Sequence, residues 1–118
     1  MRTVTTQIND AEVRISKHGI TYISLKFSND VDLVPLWGIL VINENSRWSW
    51  YPLLKSLLSP IEWMIIGIED MSLTSADAVL SASNTIAPML IGKSVLIKIK
   101  PIMIKDKYMM TTTILEAA

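Results

Sequence analysis

Ile20-Thr21-Tyr22-Ile23-Ser24-Leu25-Lys26-Phe27-Ser28 is the stretch whose alternation decides the fold. In an extended chain Thr21, Ile23, Leu25 and Phe27 share one side, and Ile20, Tyr22, Ser24, Lys26 and Ser28 share the other. The first set is a core face. The second lays an aromatic ring, a hydroxyl and an ammonium along one line. Upstream, Lys17-His18-Gly19 supplies a short turn, with glycine where a positive φ is wanted. Glu12–Ser16 therefore pairs with Ile20–Phe27 as a hairpin. Further back, Val4, Thr6 and Ile8 alternate as a first strand, separated from Val13 and Ile15 by the polar break Asn9-Asp10.

Downstream of this strand, Asn29-Asp30-Val31-Asp32 reads as a polar break. Trp37–Ile42 is an unbroken apolar run that suits a strand covered on both faces or lying in a subunit interface. Asn43-Glu44-Asn45-Ser46 is a turn by composition. The grammar then changes to helix. Ser49 is placed to cap a helix from Trp50 to Leu58, with Pro52 in its first turn. Ser59-Pro60-Ile61-Glu62 has the capping-box pattern and starts a helix that Gly67 ends, although Ile65–Ile68 also reads as a buried strand. A third helix is expected over Ala76–Ser83, followed by a connector at Thr85–Met89 that contains Pro88. Strand alternation returns at Ser94–Lys100. Pro101 should interrupt it, Lys105-Asp106-Lys107 is a turn, and Tyr108–Leu115 is the last strand.

The chain is 118 residues long, half of them apolar and 19% charged, which is one domain's worth and too apolar for disorder. Residues 1–45 are expected as N-terminal strands, 46–90 as a helical insert and 91–118 as a C-terminal hairpin. Eleven Lys and Arg balance eleven Asp and Glu, so bulk positive charge cannot hold this protein on duplex DNA. With no cysteine there are no disulfides, thiolate nucleophiles or cysteine-ligated metals. His18 is the sole histidine, and the chain has neither a phosphate-loop spacing nor a dinucleotide glycine fingerprint. We therefore expect no enzyme, no catalytic residues, no metal and no cofactor. The apolar runs Leu33–Ile42 and Ile61–Ile68 are too short to span a bilayer, and the first residues do not form a secretory signal. The expected location is the cytoplasm, away from membranes. Near-zero net charge on so apolar a chain favours self-association, so a homo-oligomer is expected.

Strands, a helical insert and a closing hairpin make a mainly β, α+β fold. The expectation is a five- to six-stranded antiparallel barrel, partly open, of the oligonucleotide/oligosaccharide-binding (OB) type, with the insert between its third and fourth strands. Curling buries the apolar faces and shortens the exposed edges. An open sheet with helices on one face meets the same demand, and periodicity does not separate the two.

Lys17-His18-Gly19-Ile20-Thr21-Tyr22-Ile23-Ser24-Leu25-Lys26-Phe27 resembles the second-strand hairpin of phage-type single-stranded DNA-binding proteins with this barrel. Leu90–Lys100, followed by a basic turn and Tyr108, resembles their fourth and fifth strands. The resemblance implies a non-catalytic binder of single-stranded DNA or RNA, serving replication or recombination in a phage or other mobile element.

Charge placement points the same way. Lys93, Lys98, Lys100, Lys105 and Lys107 face only Asp106 within residues 93–107, whereas residues 60–90 hold Glu62, Glu69, Asp70 and Asp77 with no Lys or Arg. A single strand needs cations for its phosphates and ring faces for its bases. Tyr22, Lys26, Lys98, Lys100, Lys105, Lys107 and Tyr108 are the candidates, joined by Arg47 and Trp48 from the Arg47-Trp48-Ser49-Trp50 segment. Taken singly, each lysine also reads as the solvated side of a strand, and Trp37, Trp48, Trp50 and Trp63 as core or oligomer anchors. The competing function is a protein–protein module, such as a small viral or plasmid inhibitor or an assembly subunit, acting through the Trp-rich or acidic insert. A third reading is a barrel holding a small apolar ligand.

Overall fold

The computed structural model describes residues 2–31 and 34–118, with side chains given for all of these except 29–31, 34–35, 104, 108 and 109. Five antiparallel strands form one sheet: β1 (Arg2–Ile15), β2 (Thr21–Val31), β3 (Val34–Leu40), β4 (Ser94–Ile104) and β5 (Lys107–Ala117). Between β3 and β4 lie α1 (Arg47–Leu57), α2 (Pro60–Ile66) and α3 (Ala76–Leu90), with short 3-10 turns at Glu44–Ser46 and Ile68–Asp70. The fold is α+β. The sheet runs β3-β2-β1-β4-β5, and its hydrogen-bonded ladder does not close on itself.

β1 is one long strand and not two. Asn9-Asp10, expected as a break, is absorbed by a register shift between Ile8 and Asp10. An extra residue there bends the strand and resets which side chains face inward. Residues 2–7 pair with β4 and residues 8–15 with β2, so β1 serves two different neighbours along its length. At the handover the Ile8 amide donates to the Lys93 carbonyl (2.9 Å) and the Gly92 amide to the Ile8 carbonyl (2.7 Å). β2 buries Thr21, Ile23, Leu25 and Phe27, as its alternation predicts. It also continues through Asn29–Val31, where a break was expected; Asp32 lies outside the described residues.

β3 rules out one of the two readings of its apolar run, a strand covered on both faces. Leu36 is buried, but Trp37 and Ile39 are 50% and 67% exposed, so the strand is covered on one face only. Gly38 stands between them on the inner face. A Cβ there would lie 3.0 Å from the Phe27 ring and 3.2 Å from the Thr112 hydroxyl oxygen, so its absence lets β5 approach β3. Across that gap the Thr112 hydroxyl donates to the Trp37 carbonyl, linking the two edge strands.

The helices cover the inner face. α1 starts before Trp50 because Asn43 caps the preceding 3-10 turn, accepting from the Ser46 amide at 2.9 Å, and that turn runs straight into the helix. Pro52 thus sits inside α1 rather than in its first turn; Trp50, Leu54 and Leu57 are buried at helical spacing. α2 carries the expected capping box, and Gly67 ends it at φ +63°. Residues 65–66 are therefore helical. α3 runs past Ser83 and through Pro88 to Leu90, since buried Ile86, Ala87 and Leu90 hold its last turns in place of the bond that proline cannot donate. It packs on β1 and β2, while α1 packs on β5.

β4 also passes through a proline. Arg2 of β1 pairs with Ile99, and among the described residues β4 beyond that point pairs only with β5. Pro101 therefore costs the sheet no bond on the β1 side. The result is a two-stranded arm ending in a tight turn, with Lys105 and Asp106 both at positive φ (49° and 63°), the pairing of a type I′ hairpin. The molecule is accordingly drawn out, 43 × 32 × 22 Å. No helix among the described residues is long and apolar enough to cross a membrane.

Candidate nucleic-acid interface

The outer face of β2 and β3 is set by register. Lys26 pairs with Trp37 and Ser24 with Ile39, which places Tyr22, Ser24, Lys26, Trp37 and Ile39 on one side of the sheet. The Lys26 ammonium lies 5.8 Å from the centre of the Trp37 ring, within cation–π range. Because the sheet curls, β5 approaches from the far edge. Met110, Thr111 and Thr112 then form the opposite wall of an open groove of about 430 Å³ with Tyr22, Ser24, Trp37, Gly38 and Ile39. The groove thus has ring faces, hydroxyls and a cation at its rim, and no carboxylate among the described residues that line it.

The β1 side is different. Arg14, Glu12 and Asp10 stand opposite Tyr22, Ser24 and Lys26. Glu12 is tied to Arg14 at 3.0 Å, and the Asp10 carboxylate accepts from the Ala11 amide at 3.0 Å. Two carboxylates along β1 disfavour a phosphate path there and leave the β3–β5 side as the open one.

The other candidate residues divide into three groups. Lys98 and Lys100 face outward on β4, opposite Thr113 and Thr111 of β5, so Lys100 reaches the groove only by way of its strand partner Thr111. Thr111 also bonds the Lys100 carbonyl at 3.0 Å. Lys105 and Lys107 are exposed at the tip of the arm. Tyr108 pairs with Met103 in the backbone register, and its side chain lies outside the described residues.

Arg47 and Trp48 are elsewhere, at the start of α1. The Arg47 guanidinium makes two bonds to the Glu44 carboxylate (2.8 and 3.1 Å) and one to the Met71 carbonyl (2.9 Å), and it covers the rings of Trp50 and Tyr51. Glu44 also accepts from the Leu73 amide at 3.1 Å. The Arg47 bond, then the Leu73 amide, hold the Glu44 carboxyl below its ordinary range. Arg47 is thus engaged in joining α1 to the loop before α3. Trp50 is 1% exposed and donates to the Asn43 carbonyl at 2.7 Å. Trp48, 81% exposed, borders a separate shallow notch with Tyr51, Pro52 and Glu69. There the Tyr51 hydroxyl donates to Glu69 at 2.6 Å and the Trp63 indole NH at 3.4 Å. These bonds lower the Glu69 pKa, and the carboxylate raises that of Tyr51.

Trp37 is the groove residue that sequence reasoning assigned elsewhere, to core or oligomer contact. A signal for it was present: in Leu36-Trp37-Gly38-Ile39 a glycine occupies a position of the inner face, which leaves the large residues on either side of it facing out. No group of three or more potential metal ligands occurs among the described residues. No protein-family model and no curated protein matches the chain.

Proposed function

We propose that this protein is a non-catalytic binder of single-stranded nucleic acid, built on an OB-like curled sheet whose helical insert follows the third strand. The observation that carries the reading is the exposed Trp37 ring, which shares one open groove with Tyr22 and has the Lys26 ammonium beside it. Bases stack on the two rings, each stack contributing roughly 1–3 kcal/mol, while Lys26 meets the backbone. Lys98, Lys100, Lys105 and Lys107 extend the positive charge along β4 and the arm. The abutting edges of β3 and β5, linked through Thr112, support the barrel-like description.

The test is a fluorescence-anisotropy titration with labelled oligo-dT and with duplex DNA at two salt concentrations. If about three phosphates are neutralised, single-strand affinity should fall roughly tenfold or more for a fourfold rise in salt. Trp37→Ala with Lys26→Glu should weaken binding by about tenfold or more while the thermal midpoint holds. Lys98→Glu with Lys100→Glu separates the β4 face from the groove. Unchanged affinity in both double variants, or equal affinity for duplex, rejects this reading.

A second reading, a protein–protein module, draws on the apolar residues that α2 leaves exposed: Ile61, Met64 and Ile65. It expects no affinity for oligonucleotides at any salt concentration.

A further inference from the structure

α2 is seven residues long and, of its apolar side chains, fully buries only Ile66. Ile61, Met64 and Ile65, at helical spacing on one side, are 72%, 79% and 65% exposed. Such a stripe on so short a helix is a surface that gains by being covered. Acid follows it directly. Asp70 and Asp77 are exposed, and residues 60–90 contain no Lys or Arg. Among the described residues the ion pairs are Arg14–Glu12, Arg47–Glu44 and Lys93–Glu62, so neither Asp70 nor Asp77 has an ion partner there.

The complementary surface is on the same chain. In the arm formed by β4 and β5, Lys100, Lys105 and Lys107 are exposed, again with no ion partner among the described residues, and the register puts the half-buried Ile102 on the same face as Lys100 and Lys107. Beyond Ile99 no third strand among the described residues flanks the arm on the β4 side. Lys93, at the base of β4, reaches an acid of α2 within its own chain, Glu62 at 2.8 Å. Among the described residues the lysines further out along the arm make no such bond.

We infer that the apolar stripe of α2 and the acidic turn after it receive the β4–β5 arm of a second copy of this chain. Ile102 meets Ile61, Met64 and Ile65, and the arm lysines meet Asp70 and Asp77. A zero net charge leaves little overall repulsion between copies. The two surfaces differ, so a single contact leaves one arm and one stripe unfilled. These close on each other in a dimer if the two copies exchange arms about a twofold axis, and otherwise pass head to tail to further copies.

Sedimentation velocity on the full chain, with no nucleic acid present, tests this independently of the proposed function. The average mass should climb above that of the monomer as concentration rises and should drop at high salt. Lys105→Glu with Lys107→Glu should weaken association by roughly tenfold or more, as should Asp70→Lys with Asp77→Lys, because each sets like charges face to face. Mixing these two double variants should restore association, since each then offers the charge that the other lacks. Met64→Lys with Ile65→Lys should abolish it. A wild-type monomer at every concentration, or a mixture that stays as dissociated as its parts, overturns the inference.

Discussion

A methyl group added at Gly38 and a hydroxyl removed at Ser83 should have opposite effects. At Gly38 the backbone φ is ordinary and only space is at issue. The new Cβ would meet the Phe27 ring at 3.0 Å, and Phe27 is 2% exposed, so it has little room to give. Gly38→Ala should therefore cost about 1–3 kcal/mol by denaturant titration, and it should loosen the approach of β5 to Trp37. Ser83 is fully buried in α3, and its hydroxyl has no partner among the described residues. Removing an unsatisfied buried hydroxyl relieves its desolvation, so Ser83→Ala should stabilise by about 1 kcal/mol in the same assay. Alanine also has the higher helix propensity. Both effects come from tertiary neighbours, which neither residue's place in the sequence announces.

Among the elements, α2 depends most on its caps and on one ion pair. The Ser59 hydroxyl accepts from the Glu62 amide, the Glu62 carboxylate accepts from the Ser59 amide, and the same Glu62 oxygen takes the Lys93 ammonium at 2.8 Å. The Lys93 bond, then the Ser59 amide, lower the Glu62 pKa from its ordinary 4.5. A carboxyl with a depressed folded pKa stabilises fully above its unfolded pKa, and that stabilisation is lost as pH falls through the folded value. The thermal midpoint should thus drop as pH goes from neutral to about 3, and the gap between wild type and Glu62→Gln should narrow over the same range. A gap that stays constant with pH would mean that the charge on Glu62 contributes nothing to holding α2 against the base of β4. Ser59-Pro60-Ile61-Glu62 was legible as a capping box because both of its bonds are local. The bond to Lys93, 31 residues away, was not.

On the scale of the whole molecule, β1 divides the sheet. Each of its halves serves a different neighbour, and the far ends of the sheet, β3 and β5, come together at Thr112 and Trp37. The arm projects beyond that frame, stabilised along residues 100–103 by β5 alone among the described residues. In dilute protein, the amides of residues 100, 102 and 103 should exchange hydrogen faster on average than those of 95–99, which lie between two strands. Equal protection would show the arm to be covered. The groove likewise exists only at this scale, because its two walls come from strands some 70 residues or more apart in the chain, Thr112 and Trp37 being separated by 75.

Sequence alone determined what local geometry controls. The period-two alternation of β2 chose its buried face, Ser59 and Glu62 started α2, Gly67 ended it, and Lys105-Asp106 made the arm's turn. Each of these is settled by bonds or sterics within a few residues. Tertiary structure decided the rest. It turned Asn9-Asp10 from a break into a bend because β1 must meet two partners. It carried α3 through Pro88 because the burial of Ile86, Ala87 and Leu90 outweighs one missing bond. It admitted Pro101 because no described strand lies beside β4 there on the β1 side. It also sent Trp37 outward beside Lys26 and drew Arg47 inward onto Glu44. An apolar run does not state which of its faces will be covered, and a cation does not state which distant carboxylate will reach it.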